Sequence, residues 1–137
     1  MASEKNFENR VKRFLQSKGI YPLGTPRQKM LVPPIGYWEK RWGGGTFTKT
    51  GLPDMHIVVK GYSLDAELKV DSVPSEQQMY IISQINNSTS CIAFVLCPTN
   101  KVDKLKDYVS KYDYPNVAIL GYGDFKDLIE RFIENEV

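Results

Sequence analysis

The first predicted element is a helix, because apolar residues near the N-terminus recur at the spacing of one helical face. These residues are Phe7, Val11, Phe14 and Leu15, and Gly19 is expected to end the helix. The next stretch, YPLGTPRQKMLVPPIG, contains four prolines and two glycines. Prolines and glycines at this density interrupt regular elements, so residues 21–36 are predicted to form a loop.

Beyond this loop, apolar runs and alternating apolar and polar positions predict further elements. Strands are predicted at residues 35–42, 54–60, 62–70, 91–97 and 117–120, and helices at about 76–87, 101–111 and 124–135. A helix and three strands, followed by alternating helices and strands, are typical of an α/β fold. The expected architecture is one domain, residues 1–137, with a central mixed β-sheet flanked by helices.

The strands at 54–60 and 62–70 are joined by Lys60-Gly61, and a glycine in second place favours a two-residue hairpin turn. Such a turn would pair Val59 with Tyr62, His56 with Asp65, and Asp54 with Glu67. Because strand side chains alternate between faces, Lys69 would share the face of Glu67. The opposite face would carry the core residues Ala66, Leu68 and Val70.

The face with Asp54, Glu67 and Lys69 would set two carboxylates against each other, which by itself is destabilising. Two interpretations are open. A divalent cation such as Mg²⁺ would remove the repulsion, because hard ions take carboxylate oxygens, and the nearby ammonium could hold an activated water against a phosphate. Alternatively, the charges form a solvated polar face of loose pairs, each contributing ~0–1 kcal/mol. Asp65 shares the face but lies nearer the turn, and is treated as peripheral.

Composition excludes some classes of protein. Apolar residues make up 42% and charged residues 25% of the 137 positions, and no apolar run approaches the roughly 20 residues of a membrane span. The N-terminal MASEKNFENR lacks the apolar segment of a signal peptide. A membrane partner is therefore not expected.

Charge is distributed unevenly along the chain. Residues 1–50 carry ten basic and three acidic side chains, a net charge of +7, whereas residues 51–137 carry eight and thirteen, a net charge of −5. This asymmetry favours a basic surface that faces a polyanion, and unpatterned surface charge is the alternative.

The two cysteines, Cys91 and Cys97, lie in the apolar stretch CIAFVLC. In a strand they would be about 20 Å apart, too far to form a disulfide with each other. We expect two buried core thiols in a protein of the reducing cytoplasm, and not metal ligands or nucleophiles. His56, the only histidine, is expected to be a partly exposed strand residue, with a minor ligand or substrate contact as the alternative.

Pro53-Asp54, a strand, a tight turn and then Glu67-Leu68-Lys69 resemble the signature of the PD-(D/E)XK nuclease superfamily. The flanking stretches YWEKRWGGGTFTKTGLPD and SEQQMYIISQI are similar to its stand-alone virus-type replication-repair branch (VRR-NUC), found in phages. The resemblance extends over most of residues 5–100, although the proline-rich loop at 22–36 is longer than in that family. It implies a single restriction-endonuclease-like domain, encoded by a phage or prophage and acting in the bacterial cytoplasm.

The resemblance implies a role for each matched residue of the motif. Asp54 and Glu67 would bind Mg²⁺ or Mn²⁺, with the Leu68 carbonyl as a further ligand. Lys69 would position the attacking water and offset negative charge in the transition state.

Two further residues have two interpretations each. Glu8 corresponds to an acidic residue that many members of the family place near the metal, where it would act as a ligand in catalysis, and a solvated glutamate is the alternative. Gln78 matches a glutamine that follows the ExK strand in the family and would belong to the catalytic set. Residues 75–78 equally form the helix-capping pattern S-x-x-Q.

The glycine-rich stretch before the motif is expected to contact the DNA backbone. Its glycines would let a phosphate approach closely, but no Gly-Lys-Ser/Thr follows, so it is not a P-loop. The residues expected to contact DNA are Lys40, Arg41, Gly44, Gly45, Thr46, Thr48 and Lys49. Trp38 and Trp42 either stack on exposed bases or, as is more common for aromatic residues four apart, belong to the core.

The expected function is therefore Mg²⁺- or Mn²⁺-dependent hydrolysis of phosphodiester bonds in DNA by an endonuclease. The family resemblance implies structure-specific cleavage, at a Holliday junction or a flap, in phage replication, recombination or repair. It also implies a homodimer, whose two-fold axis would set two sites on opposed strands. The alternative is a non-catalytic DNA-binding or inhibitory protein with the same fold. A nuclease that reads a defined sequence would need a recognition element, for which the chain has no spare domain.

Overall fold

The computed structural model describes residues 2–41, 51–88 and 90–134. The helices are α1 (Ala2–Ser17), α2 (Glu76–Asn86), α3 (Val102–Val109) and α4 (Tyr122–Glu134). The strands are β1 (Ile20–Pro22), β2 (Gly36–Lys40), β3 (Met55–Val59), β4 (Tyr62–Leu68), β5 (Ile92–Cys97) and β6 (Ala118–Gly121), and short 3-10 helices cover Arg27–Lys29 and Thr99–Lys101. None of the helices in these ranges has the length and apolar character that crossing a bilayer requires.

All six strands form one sheet in sequence order. The central pairs β2–β3 and β3–β4 are antiparallel, whereas β1–β2, β4–β5 and β5–β6 are parallel. Parallel neighbours need a crossover, and α2 and α3 supply it on either side of β5. The expected α/β architecture, a mixed sheet between helices, is confirmed.

The β3–β4 hairpin has the predicted turn and register. Lys60 and Gly61 both have positive φ, 48° and 88°, as a type I′ turn requires. The pairs along the ladder are Val59 with Tyr62, Val58 with Ser63, Ile57 with Leu64, His56 with Asp65, and Met55 with Ala66. Asp54 and Glu67 lie one position beyond the last pair.

Each face of the sheet buries its own apolar cluster. The first lies between the sheet, α1 and α4, and includes Phe7, Val11, Leu15, Trp38, Ala66, Leu68, Val70, Phe125 and Phe132. The second lies under α2 and α3, and includes Met79, Ile82, Val95, Cys97 and Leu105. The core positions predicted on β4 are therefore confirmed, and Trp38 is a core residue.

The prediction that residues 21–36 form only a loop was wrong at its start, where a short strand lies. Ile20 and Tyr21 are buried and form β1 beside β2. The Tyr21 hydroxyl donates to the Val32 carbonyl at 2.9 Å and accepts from the Val32 N–H at 3.0 Å, which ties the loop to the strand. Three residues are too few to show a period of two, so pattern analysis had no signal for this strand.

Gly19 ends α1 and lets the chain turn tightly into β1. Its φ is +91°, and a Cβ at this position would lie 2.3 Å from the Pro33 carbonyl oxygen. The Gly19 carbonyl accepts a hydrogen bond from the Ile35 N–H at 2.9 Å. The proline-rich loop therefore packs directly against the end of the helix.

This close approach predicts a specific cost for Gly19→Ala. Gly24 is a matched control, because its φ is +92° but nothing lies within 4 Å of its Cβ position. Gly24→Ala should cost about 1 kcal/mol through backbone strain alone. Gly19→Ala should cost at least about 2 kcal/mol more, because the clashing atom belongs to the backbone. Urea unfolding followed by tryptophan fluorescence measures both free energies, and equal losses would show that the contact is unimportant.

Candidate metal-binding and catalytic site

The matched residues of the motif lie together at one end of the β3–β4 hairpin. Asp54 immediately precedes β3, Glu67 is near the end of β4, and Lys69 is the first residue after that strand. Gln78 reaches the same point from the first turn of α2. We call Asp54, Glu67, Lys69 and Gln78 the carboxylate site.

Asp54 is held through both its backbone and its side chain. Its Oδ2 accepts a hydrogen bond from the Leu68 N–H at 3.0 Å. Its carbonyl accepts from the Arg41 N–H at 2.7 Å, and the Arg41 guanidinium donates to the Pro53 carbonyl at 3.3 Å. The direction of the Asp54 carboxylate is therefore fixed before any ligand arrives.

Glu67 is buried, and its two oxygens have different surroundings. Oε2 accepts from Gln78 Nε2 at 2.9 Å and lies 3.4 Å from Lys69 Nζ. Oε1 is buried without a hydrogen-bond partner among the described residues. A buried carboxylate oxygen without a donor is costly, which makes this atom the unsatisfied point of the site.

The pKa of Glu67 reflects this environment. Burial and then the adjacent Asp54 carboxylate raise the pKa from its ordinary 4.5 to about 8, against the opposing effect of Lys69. The negative charge of Asp54 disfavours a second negative charge on Glu67. Glu67 therefore holds a proton at neutral pH unless a cation takes its place.

The oxygen ligand atoms of the carboxylate site suit a hard divalent cation. Carboxylate oxygens are the ligands that Mg²⁺ and Mn²⁺ prefer, and Glu67 Oε1 offers one that accepts no hydrogen bond from the described part of the chain. The Leu68 N–H is used by Asp54, while the role of the Leu68 carbonyl as a ligand stays a prediction.

The capping interpretation of Gln78 is confirmed, and its part in catalysis stays a prediction. The Gln78 side-chain Oε1 accepts a hydrogen bond from the Ser75 backbone N–H at 2.8 Å, and the Gln78 backbone N–H donates to Ser75 Oγ at 3.1 Å. These two bonds complete the capping box at the start of α2. Its Nε2 remains to donate to Glu67. One side chain therefore caps a helix and orients an acid of the carboxylate site.

Glu8 lies in a separate cluster with three lysines. The buried carboxylate contacts Lys5 at 3.2 Å, Lys12 at 2.8 Å and Lys40. Burial would raise its pKa, but hydrogen bonds from Lys12, Lys40 and Lys5 outweigh burial and lower the pKa to about 2. Within the described ranges, Glu8 does not join Asp54 and Glu67 in a close group of ligand atoms. Its role at a metal stays a prediction.

The residues expected to contact DNA fall into two groups. Lys40 binds Glu8, and Arg41 binds Asp65 at 3.1 Å, so both cations already contact acidic groups of the protein. Gly44, Gly45, Thr46, Thr48 and Lys49, together with Trp42, lie outside the described residues.

Asp65 is more central than its position near the turn indicated. It is buried, and its Oδ1 lies 2.7 Å from His56 Nδ1 and 3.1 Å from Arg41. The Cys91 thiol donates to its Oδ2 at 3.4 Å. The hairpin register already paired His56 with Asp65, but Cys91 could be placed only with the parallel register of β4 and β5, which leaves no mark on either sequence.

The cysteine prediction was correct for one of the two thiols. Both are free, and Cys97 is fully buried, but Cys91 precedes β5 and is only partly buried. Burial and then the Asp65 carboxylate raise the pKa of Cys91 to about 11. Without a bound metal ion, the Cys91 thiol is therefore protonated at neutral pH.

Comparison of the chain with models of protein families, with curated proteins and with solved structures gave no match.

The raised pKa of Glu67 predicts a pH dependence of stability without metal. Between about pH 4.5 and pH 8 the folded protein keeps a proton on Glu67 that the unfolded chain releases, so the free energy of unfolding falls as pH rises. Glu67→Gln removes this titration while keeping the shape of the side chain. The difference between wild type and variant should change by on the order of a few kcal/mol across this range, in favour of the variant at high pH. Urea unfolding in EDTA at several pH values measures it, and a constant difference would contradict the assigned environment.

Proposed function

We propose that this protein is a divalent-metal-dependent endonuclease that hydrolyses phosphodiester bonds in DNA. The observation that carries the proposal is the buried Glu67 carboxyl beside the Asp54 carboxylate and the Lys69 ammonium, with Oε1 of Glu67 left without a hydrogen-bond partner among the described residues. A cation between the two acids removes their repulsion. The phosphate diester is the substrate class that such a cation and an ammonium together would recognise.

Asp54 and Glu67 would hold the metal ion, Mg²⁺ or Mn²⁺. When bound, the ion supplies Lewis-acid polarisation of a phosphate oxygen and acidifies a bound water. The protein contributes orientation, because the Leu68 N–H fixes Asp54 and the Gln78 amide fixes Glu67. The similarity to the PD-(D/E)XK motif supports this assignment of roles.

Lys69 would act on the phosphate itself. Its side chain is mostly buried beside Glu67, so little solvent screens its charge. As water attacks phosphorus and the P–O bond to the leaving oxygen breaks, negative charge grows on the phosphate, and an ammonium placed there stabilises it. The proton of the attacking water passes to solvent, and the leaving oxygen is protonated in turn.

The charge of the chain supports DNA as the partner. Residues 1–50 carry a net charge of +7, and Lys5, beside Glu8, is 58% exposed. Such groups contact a phosphate backbone without regard to sequence. We propose branched or flapped DNA as the preferred substrate and a homodimer as the active form, as the family resemblance implies, in phage or prophage replication, recombination or repair.

Cleavage assays test this function on a panel of four-way junctions, flaps, linear duplexes and single strands, with Mg²⁺, Mn²⁺ or EDTA. Cleavage should require metal, and Lys69→Ala should lower the rate by about 10²–10³-fold while DNA binding persists. Lys106→Ala, which removes an exposed lysine of α3, is the matched control and should cleave like wild type. Size-exclusion chromatography with light scattering gives the oligomeric state of the same samples.

Two outcomes would reject the proposed chemistry. Cleavage that survives both EDTA and Lys69→Ala would assign the activity to something other than the carboxylate site. DNA binding without cleavage under any metal condition would favour a non-catalytic DNA-binding protein that retains the fold.

A further inference from the structure

A second group of metal-ligating side chains lies on the sheet beside the carboxylate site. His56 on β3, Asp65 on β4 and Cys91 just before β5 offer ligand atoms within 4.8 Å of one another. Within residues 2–41, 51–88 and 90–134, no other three histidine, cysteine or acidic side chains come this close. We call these three residues the His–Asp–Cys group.

The sheet register explains why these side chains meet. His56 and Asp65 are direct partners across the β3–β4 ladder, and Asp65 is paired with Ala93 on the parallel strand β5. Cys91 lies two residues before Ala93, so an extended chain places it on the same face. The backbone of three adjacent strands therefore fixes the group.

The ligand types differ from those of the carboxylate site. Imidazole, carboxylate and thiolate are ligands of tetrahedral Zn²⁺, which in open sites takes three protein ligands and a water. Mg²⁺ prefers oxygen donors only, so thiolate and imidazole together select a softer ion. The two sites would therefore take different metals.

The distances are close to those of a zinc site. Ligand atoms lie about 2.0–2.3 Å from tetrahedral zinc, and hence about 3.3–3.8 Å from one another. The Cys91 thiol is 3.4 Å from Asp65 Oδ2, and His56 Nδ1 is 2.7 Å from Asp65 Oδ1. All three ligand atoms lie within 4.8 Å of one another, and Cys91 is only partly buried.

The surrounding residues suit an ion at this position. Arg41 binds Asp65 Oδ1, which leaves Oδ2, the oxygen towards Cys91, for the metal. Ser63 Oγ is 3.5 Å from His56 Nε2 and can accept a hydrogen bond from the Nε2–H when Nδ1 binds the ion. Hydrogen bonds of this kind orient metal ligands and fix the imidazole tautomer.

We propose that His56, Asp65 and Cys91 form a second metal site, for a thiophilic divalent ion of the Zn²⁺ class. Binding replaces the thiol hydrogen of Cys91 by a sulfur–metal bond and releases one proton to solvent, while the imidazole proton moves from Nδ1 to Nε2. The ion, one thiolate and one carboxylate balance in charge, and Arg41 remains on the outer oxygen of Asp65. The site does not depend on the nuclease function, since it uses none of the carboxylate-site residues.

Cobalt(II) titration of the full chain tests this site, because a cysteine-bound Co²⁺ gives a thiolate-to-cobalt charge-transfer band. One equivalent of Co²⁺ should produce the band, and Zn²⁺ should abolish it by displacement. Cys91→Ala should remove the band and weaken Zn²⁺ binding at least about 10-fold. Cys97→Ala, the matched control at the other cysteine, should keep the band, as should a variant carrying Asp54→Asn and Glu67→Gln.

Four results would overturn the second site. Three of them are the absence of a thiolate band in the wild-type protein, its survival in Cys91→Ala, and its loss in the Asp54→Asn, Glu67→Gln variant. His56→Gln gives a further measure that leaves the thiol in place, and an unchanged Zn²⁺ affinity in this variant would also overturn it. Circular dichroism confirms that each variant is folded, and the wild-type titration needs no variant at all.

Discussion

The β3–β4 hairpin brings the Asp54 carboxylate beside the buried Glu67 carboxyl, where their repulsion is screened less than at an open surface. Several neighbouring groups hold the two acids in this arrangement. The Leu68 N–H and the Arg41 backbone hold Asp54, and the Gln78 amide holds Glu67. These bonds orient the acids but leave one oxygen of Glu67 unsatisfied. The arrangement therefore favours the binding of a cation.

Glu8 and Glu67 show that burial alone does not decide how an acid behaves. Both side chains are almost fully buried, yet the pKa of Glu8 is lowered to about 2 and that of Glu67 is raised to about 8. Glu8 has three lysines as hydrogen-bond donors, whereas Glu67 has an acid on one side and a single lysine on the other. The lysines around Glu8 stabilise its negative charge, whereas the surroundings of Glu67 favour the binding of a proton or a cation.

Local patterns predicted most of the fold because each element has its own signal. The helical stripe of α1, the turn at Lys60-Gly61 and the alternation along β4 are visible within a few residues of sequence. The hairpin register follows from the turn, so the proximity of Asp54 and Glu67 was also predictable. The capping box of α2 was visible as well, since it depends on four consecutive residues.

Features that depend on distant pairing were not predictable in this way. β1 exists because it lies against β2, and Cys91 meets Asp65 because β5 runs parallel to β4 at one particular register. The lysines around Glu8 come from α1 and from β2, whose contact depends on how the helix sits on the sheet. Such contacts are set by tertiary packing, which a single sequence does not display.

Gln78 has a consequence for which amino acids the chain can tolerate. Its side chain accepts at one atom, from the Ser75 N–H, and donates at another, to Glu67. Glutamate would preserve the helix cap but bring a third negative group to the acids, and a shorter amide would lack the reach for both bonds. The capping of α2 and the orientation of Glu67 therefore depend on the same side chain. A substitution of Gln78 that keeps one of these hydrogen bonds would lose the other.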